Sequence, residues 1–409
     1  MSASQLNRPH SRRRWLPLVG VLLLIEFVDE LIFGAREAAW PLLRADLGLT
    51  YAEIGLLLSV PKLAASVIEP FLGVLGDQGW RRALVLGGGL VFAGACLLAG
   101  LAPGLELLLA AFILLYPASG AFVSLAQAAL MDTDPARHEH LMARWTLAGS
   151  LGVVAGPLVL ALSVGAGAGW RGAFLLAAGG ALALTGLAAR VRFPAAPPAD
   201  PAEAGRPSWS GWRAALGALA RPAVLRWLVL LEFSDFMLDV LLGFLALYLV
   251  EAAGATPAQG ALAVAVWAGV GLLGDALLIP LLERVNGLAY LRVSALIICL
   301  LYPVFLLTPG FEWKLLWLAL LGLFNAGWYA ILRGRLYSAM PGQSSLVMTV
   351  DALFGLVAGL APAALGWAAE WLGLAPAMWL LLLGPAALLV GLPRSEPAAG
   401  ERAPSPPLD

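Results

Sequence analysis

The sequence predicts an all-α polytopic membrane protein with twelve transmembrane helices in two pseudo-symmetric six-helix halves. Three observations carry that prediction. Hydrophobic residues fill 61% of the 409 positions, and Asp, Glu, Lys and Arg only 12%, about half the roughly 25% charged residues of a soluble domain. About twelve apolar runs each reach the roughly 20 residues a helix needs to cross a hydrocarbon core. The two halves also repeat at one spacing. Glu26-Phe27-Val28-Asp29 returns 206 residues later as Glu232-Phe233-Ser234-Asp235, Gly48-Leu49-Thr50 as Gly254-Ala255-Thr256, and Asp77 as Glu283. Cys96 and Cys299 match at the neighbouring offset of 203.

The elements follow in order. An arginine-rich arm, 1–14, precedes the first run, near 15–40. Its "SRRRWLPLVGVLLL" looks like a targeting signal, but Glu26 follows where a small-residue cleavage site would stand, so a retained first span is expected. Runs near 52–76, 83–103, 105–131, 141–164 and 171–190 complete a first bundle, 15–190. The linker 191–222, with "FPAAPPADPAEAGRPSWS", is too rich in Pro and Ala to pack a core. A second bundle, 223–393, holds runs near 223–250, 257–282, 288–309, 314–340, 345–369 and 373–393. The Pro-rich tail, 394–409, is expected to be disordered.

Twenty of the 25 basic residues, from Arg8 to Arg402, fall on the side of the termini and the linker, whereas the opposite loops hold Arg44, Arg171 and Lys314. The positive-inside rule makes the first side cytoplasmic, which implies a multi-pass protein of the bacterial inner membrane with both termini inside. Two cysteines, mid-span, are too few for a disulfide framework, and His10, His138 and His140 lie in cytoplasmic segments. No metal, cofactor or nucleic-acid partner is expected.

The first run is the unusual one. "LLIEFVDELIFGAREAAWPLL" sets Glu26, Asp29, Glu30, Arg36 and Glu37 among apolar residues. At 100° per residue, Glu26, Glu30, Phe33 and Glu37 fall within about 60° of one another, with Asp29 and Arg36 just beside them. Glu232, Asp235 and Asp239 form a similar stripe in the seventh run, and Lys62 shares a face with Glu69 in the second. Charge facing lipid is costly, so these groups should line a cavity or pair. Arg36 with Asp29 or Glu37, and Lys62 with Glu69, are candidates for static ion pairs. Pairing does not absorb them all. Ten acids lie in or near the spans, including Glu69, Asp275 and Asp351, against Arg36 and Lys62 alone. Carboxyls crowded in this way can load and release protons. Arg333 and Arg335 read as interfacial anchors.

The residues also carry a resemblance. "GVLGDQGWRR", Gly73 to Arg82, resembles the loop signature of the major facilitator superfamily: glycine, three residues, aspartate, arginine, any residue, glycine, two basic residues. Gly73, Asp77, Arg81 and Arg82 match. Gln78 replaces the arginine, and Trp80 takes the glycine position, with Gly79 one place early. The resemblance implies that Asp77 holds a cytoplasmic gate with Arg81 and Arg82 beside it. Glu283-Arg284 with Gly287 is a decayed copy. "GSLGVVAGPLVL" holds Gly152, Gly156 and Pro157 and is similar to the fifth-helix signature of proton-coupled exporters, although its trailing glycine pair is missing; the resemblance implies a gating role for these three, as for Gly73. The fourth helix offers Tyr116 and Pro117 where such exporters carry arginine. From Glu26 to Asp77 and from Pro341 to Pro393 the pattern is similar to fosmidomycin-resistance-type and drug–proton antiporter efflux proteins. The major facilitator fold, alternating access and a monomeric state are what this implies.

The expected function is secondary active transport, with proton-coupled efflux of a small organic compound. Glu26, Asp29 and Glu30 are expected to face Glu232 and Asp235 across a central cavity and to handle protons. Phe33, Arg36, Glu37, Lys62, Gln127, Asp239, Asn325, Trp328 and Tyr329 are the candidates for substrate contact. The acid excess favours a cationic or neutral polar substrate, while Arg36 and Lys62 leave room for an anion. The rivals are a symporter or facilitator importing a small polar solute, a sensor, and an intramembrane aspartyl hydrolase suggested by "GLLGD" at Gly271 to Asp275.

Overall fold

The computed structural model describes residues 10–134, 138–193, 217–340, 350 and 354–393. The linker from 194 to 216, the tail from 394, Arg137 and Asp351 lie outside the described residues. So do the side chains of Asp77, His138 and His140, and any account of Gly73 beyond its helical backbone. The first half comprises α1 (His10–Leu47), α2 (Tyr51–Leu75), α3 (Arg81–Leu101), α4 (Leu105–Met131), α5 (His138–Gly165) and α6 (Gly169–Arg190). The second comprises α7 (Pro222–Ala252), α8 (Pro257–Leu282) and α9 (Gly287–Leu307), then α10, α11 (Phe354–Leu372) and α12 (Leu374–Gly391). In α10, Phe311–Asn325 and Trp328–Ala339 are separated by a break at Ala326-Gly327. No strand occurs among the described residues.

Among the described residues eleven helices, α2 to α12, are long and apolar enough to cross a membrane. At 1.5 Å per residue the 38 residues of α1 extend about 57 Å, so it has length to spare, and its charges set it apart. It begins at His10, inside the arm expected over 1–14. Large apolar side chains such as Leu162, Ile279, Trp371 and Val390 point outward, as lipid requires of a spanning helix.

The repeat is visible in the caps. Gly48 and Gly254, 206 apart, both take a left-handed φ (66° and 73°), which glycine adopts without steric cost. Each is followed by a threonine that opens the next helix with a reciprocal cap. Thr50 Oγ1 accepts from Glu53 N at 3.1 Å while Glu53 Oε2 accepts from Thr50 N at 2.8 Å. Thr256 and Gln259 repeat the arrangement at 3.2 and 2.8 Å. The left-handed Gly167 and Gly373 keep the same offset.

Packing between the halves obeys the same symmetry. The main contacts are α2 on α11 and α5 on α8, pairs that exchange when each helix is replaced by its counterpart six places along, and α1 also touches α7 and α8. A Cβ on Gly55 would lie 2.7 Å from Pro362 O, and one on Gly366 2.4 Å from Tyr51 O, so glycine allows α2 and α11 to meet backbone to backbone. Ser59 Oγ accepts from Ala363 N at 3.0 Å across the same seam.

Besides the α10 break, irregularities depart from the expected uniform spans, among them π turns in α7 at Phe236–Val240 and Tyr248–Ala252. In α4, Pro117 removes a backbone donor and the helix widens into a π turn at Gly120–Ser124. Between α2 and α3 the turn Gly76–Trp80 has Gly79 at φ 94° as its left-handed residue, so Trp80 fits where the family signature has glycine. Arg81 pairs with Asp132 at the end of α4, and Arg82 Nη2 donates to Ala189 O of α6 at 2.8 Å. At the opposite end Lys314 Nζ donates to Phe305 O (2.7 Å) and Leu306 O (3.1 Å), satisfying terminal carbonyls of α9.

Candidate functional site

The charged face of α1 is positioned by glycines. A Cβ on Gly152 would sit 2.4 Å from Phe27 O, and one on Gly156 2.3 Å from Leu31 O. Gly34 answers from α1, with its missing Cβ 2.3 Å from Val153 O. That carbonyl is the one Pro157 leaves without an i+4 N–H partner, so the Gly-Pro step supplies an acceptor and Gly34 the close approach to it. Gly152, Gly156 and Pro157, expected to gate, therefore sit within the first half, at the α1–α5 crossing. Glu26, 7% exposed, and Glu30 lie against the same helix, beside Gly149.

Arg36 and Glu37 were expected to touch substrate, and the structure places them elsewhere. Both are buried, at 3% and 2% exposure. They form an ion pair with each other, Arg36 Nη1 reaches Tyr116 OH at 2.5 Å, and Trp40 Nε1 donates to Glu37 Oε2 at 2.9 Å. The guanidinium also stacks 4.8 Å from the Phe33 ring. Of the two partners open to Arg36 at the sequence level, Glu37 is the one it takes.

Lys62 does not pair with Glu69. Its Nζ crosses to the other half and meets Asp239 Oδ2 at 3.4 Å, with Asp235 and Glu232 near enough to act on its charge. Glu69 turns instead towards α4, where a Cβ on Gly120 would stand 2.8 Å from its Oε1. Glu26, Asp29 and Glu30 are expected to face Glu232 and Asp235, and the seventh-helix acid found beside Glu30 is Asp239, four residues beyond Asp235. Among these three, Glu30 has Asp239 as a charged neighbour across the halves, Asp29 has the charge of Arg36 and the hydroxyl of Ser119, and Glu26 has Glu30 and Asp29. Among the described residues, none of the three makes an ion pair within 4 Å.

A cavity of about 580 Å³ lies between the halves. Phe33, Thr146, Ser150 and Val153 line it from the first half, and Asp239, Trp267, Asp275, Asn325, Trp328 and Tyr329 from the second. It extends to Leu282, the last residue of α8, at the end of the bundle that carries Arg81. Five of the nine expected substrate residues line it: Phe33, Asp239, Asn325, Trp328 and Tyr329. Lys62 reaches it only through Asp239, and Gln127 packs towards α5, its Nε2 3.6 Å from Met142 Sδ. Thr146, Ser150 and Trp267 were missed. Thr146 and Ser150, four apart on one face of α5, were the legible signal.

The other end of the bundle is closed by contacts between the halves. Glu251 of α7 accepts from Tyr51 OH at 2.6 Å and pairs with Arg44 at 3.0 Å, while Tyr51 N donates to Glu370 of α11 at 3.0 Å. These groups are partly solvated, worth about 1 kcal/mol or less each. Glu251→Ala should therefore raise severalfold the labelling of a cysteine placed at Ser59 by a membrane-impermeant maleimide, in a chain whose Cys96 and Cys299 are alanine. Unaltered labelling would assign closure to the Gly55–Gly366 contact alone.

Comparison with known proteins agrees with this architecture. The sequence pattern of the Major Facilitator Superfamily matches residues 22–350. A "probable actinorhodin transporter" of Streptomyces coelicolor is 31% identical over 172 residues, 41% of this chain and 30% of that protein's length. Among solved structures, a bacterial homologue of the human lysosomal transporter Spinster, inward-facing and unoccupied, superposes with TM-score 0.69 at 19% identity over 94% of this chain and 95% of its own. The nucleoside transporter NupG gives TM-score 0.73 at 13% identity over 92% and 97%. At such identities the likeness is one of fold.

Proposed function

The chain belongs to the Major Facilitator Superfamily, and from that membership we propose that it is a proton-coupled exporter of a small organic compound. It is a multi-pass membrane transporter of small molecules and not an enzyme. The observation that carries the finer reading is the Lys62–Asp239 pair, which joins the two halves beside Glu30 at the wall of the cavity. A proton taken up by Glu30 removes negative charge beside the Lys62–Asp239 pair and so weakens the field that holds Lys62 across the seam. Losing that proton restores it, so protonation biases which end of the bundle is closed. Substrate in the cavity competes for the same groups, which couples the two movements. Glu26, Asp29, Glu232 and Asp235 supply the surrounding acid from which protons reach the pair.

The reading takes the Arg81 end as cytoplasmic, in the bacterial inner membrane, because the basic residues gather there. It keeps two six-helix bundles joined by the 191–222 linker on that side, in a monomer. A cavity that reaches the cytoplasmic end loads substrate from inside, in keeping with a relative described as an actinorhodin transporter.

The test begins with a thermal-shift screen of purified protein at acidic and alkaline pH. A compound that stabilises it is then followed in proteoliposomes. Glu30→Gln should lose uptake driven by an imposed pH gradient and keep substrate counterflow, which needs no net proton movement. Gradient-driven flux equal to the unmodified protein's would remove Glu30 from coupling, and the direction of flux in inverted vesicles separates export from import.

A further inference from the structure

We propose that the break in α10, with Asp275 and Asn325, is a binding subsite for the ammonium group of an organic amine. It lies between Asp239 and the Arg81 end of the cavity. The inference rests on reading that cavity as the substrate path.

A helix interrupted in its middle frees backbone donors and acceptors on both sides of the gap. Here most are taken. Gly327, at φ 73°, donates its N–H to Asp275 Oδ1 of α8 at 2.8 Å, and Ala326 O accepts from Tyr290 OH of α9 at 2.9 Å. Asn325 Nδ2 donates to Met237 O of α7 at 2.6 Å, and Trp328 Nε1 donates to Ser294 Oγ at 2.7 Å. Three neighbouring helices thus hold the break open in one geometry.

Two acceptors remain. Asn325 is 2% exposed, and its Oδ1 has no donor. The bond to Met237 O fixes which end of the amide is oxygen, so the orphan is an acceptor. Asp275 is exposed to the cavity, and among the described residues its Oδ2 receives no hydrogen bond and no basic side chain stands within 4 Å of it. Both residues flank one crossing, where a Cβ on Gly274 would lie 2.7 Å from Ala326 Cβ. A buried acceptor left without a donor is costly and uncommon in a folded protein, and a ligand that donates resolves it.

The charge balance gives the ligand its class. Among the described residues the cavity lining contains no lysine or arginine and two carboxylates, Asp239 and Asp275. Asp239 is already matched by Lys62. Asp275 therefore asks for a cation with N–H donors, and Phe33 and Trp267 offer aromatic faces for its body, while Tyr329 at the rim already carries the Arg333 guanidinium 5.7 Å from its ring.

The competing explanation makes Asp275 a helix cap for Trp328–Ala339 and nothing more. Asparagine caps as well as aspartate and lacks only the charge, so Asp275→Asn separates the two. Phenethylamine, with 2-phenylethanol as its neutral counterpart, is titrated against the purified full chain by isothermal calorimetry, alongside thermal melts. The amine should bind the unmodified protein more tightly than the alcohol. Asp275→Asn should weaken the amine at least about tenfold, the scale of a hydrogen bond to a charged group, while leaving the melting temperature and the alcohol unchanged. An amine that binds no better than the alcohol, or equally well to Asp275→Asn, overturns the proposal. Should Asp275→Asn not yield folded protein, Asp275→Ser, another capping side chain, carries the same comparison. Equilibrium binding in detergent needs no gradient, so a failure of proton coupling or of export leaves this result standing on its own.

Discussion

Replacing Gly156 by leucine should abolish the accumulation of folded protein. Even the first added carbon would lie 2.3 Å from Leu31 O and 2.4 Å from Ala35 N, both backbone atoms of α1 that cannot swing aside. The helices would have to separate along a seam where Gly152 and Gly34 make contacts just as close, and Glu26 and Glu30 would lose their place against α5. Overpacking a core costs about 1–3 kcal/mol where side chains can yield, and more where backbone must, out of a total stability of about 5–15 kcal/mol. Gly156→Ala should already lower the melting temperature in detergent by many degrees. Gly87→Ala and Gly94→Ala in α3 form the contrast. Nothing lies within 4 Å of either added carbon, so both should be neutral or stabilise by up to about 1 kcal/mol through helix propensity. A Gly156→Ala protein that elutes as a single species with an unshifted melting curve would contradict the α1–α5 contact.

The spans and the duplication were legible because they depend on local pattern. Apolar length defines a membrane helix, and Gly48/Gly254 and Thr50/Thr256 carry their turn and cap wherever the chain goes. What was not legible is which neighbour a face meets. The polar stripe of α1 predicts groups that line a cavity or pair without saying which does which, because a 38-residue helix passes several partners along its length. Glu26 lies on Gly149 of α5, Arg36 on Tyr116 of α4, and Glu30 looks to Asp239 of α7. Lys62 and Glu69 do share a face, yet seven residues put them about 10 Å apart along the axis, so Lys62 takes its partner from α7 and Glu69 lies against Gly120 of α4. The α10 break had a weak signal. Asn325 and Gly327 are the residue types that end helices, but no proline accompanied them and the apolar run continued.

Glu37→Leu should destabilise the protein more than the double variant Arg36→Leu/Glu37→Leu. Alone, the substitution removes the direct ion-pair partner of the Arg36 guanidinium, 3% exposed, and leaves it Tyr116 OH, aromatic faces and the more distant charges of Asp29 and Glu30. Removing one member of a buried pair costs about 3–5 kcal/mol, whereas replacing both members by apolar residues of similar size is often neutral. The double variant is not free of cost here, because Trp40 Nε1 and Tyr116 OH each lose a partner, at about 1–3 kcal/mol for each group left unsatisfied. Adding Trp40→Phe and Tyr116→Phe to the double variant removes those orphans and should recover part of the loss. Thermal unfolding of the four proteins in detergent gives the order, and flux of a compound found by the thermal-shift screen adds the functional half. The pair is internally neutral and closed to the cavity, so the repaired quadruple variant should transport near the unmodified rate once corrected for folded protein. A stable quadruple variant without transport would return Arg36 and Glu37 to the substrate path. It would also mean that the bundle opens between α1 and α4 at some stage of the cycle.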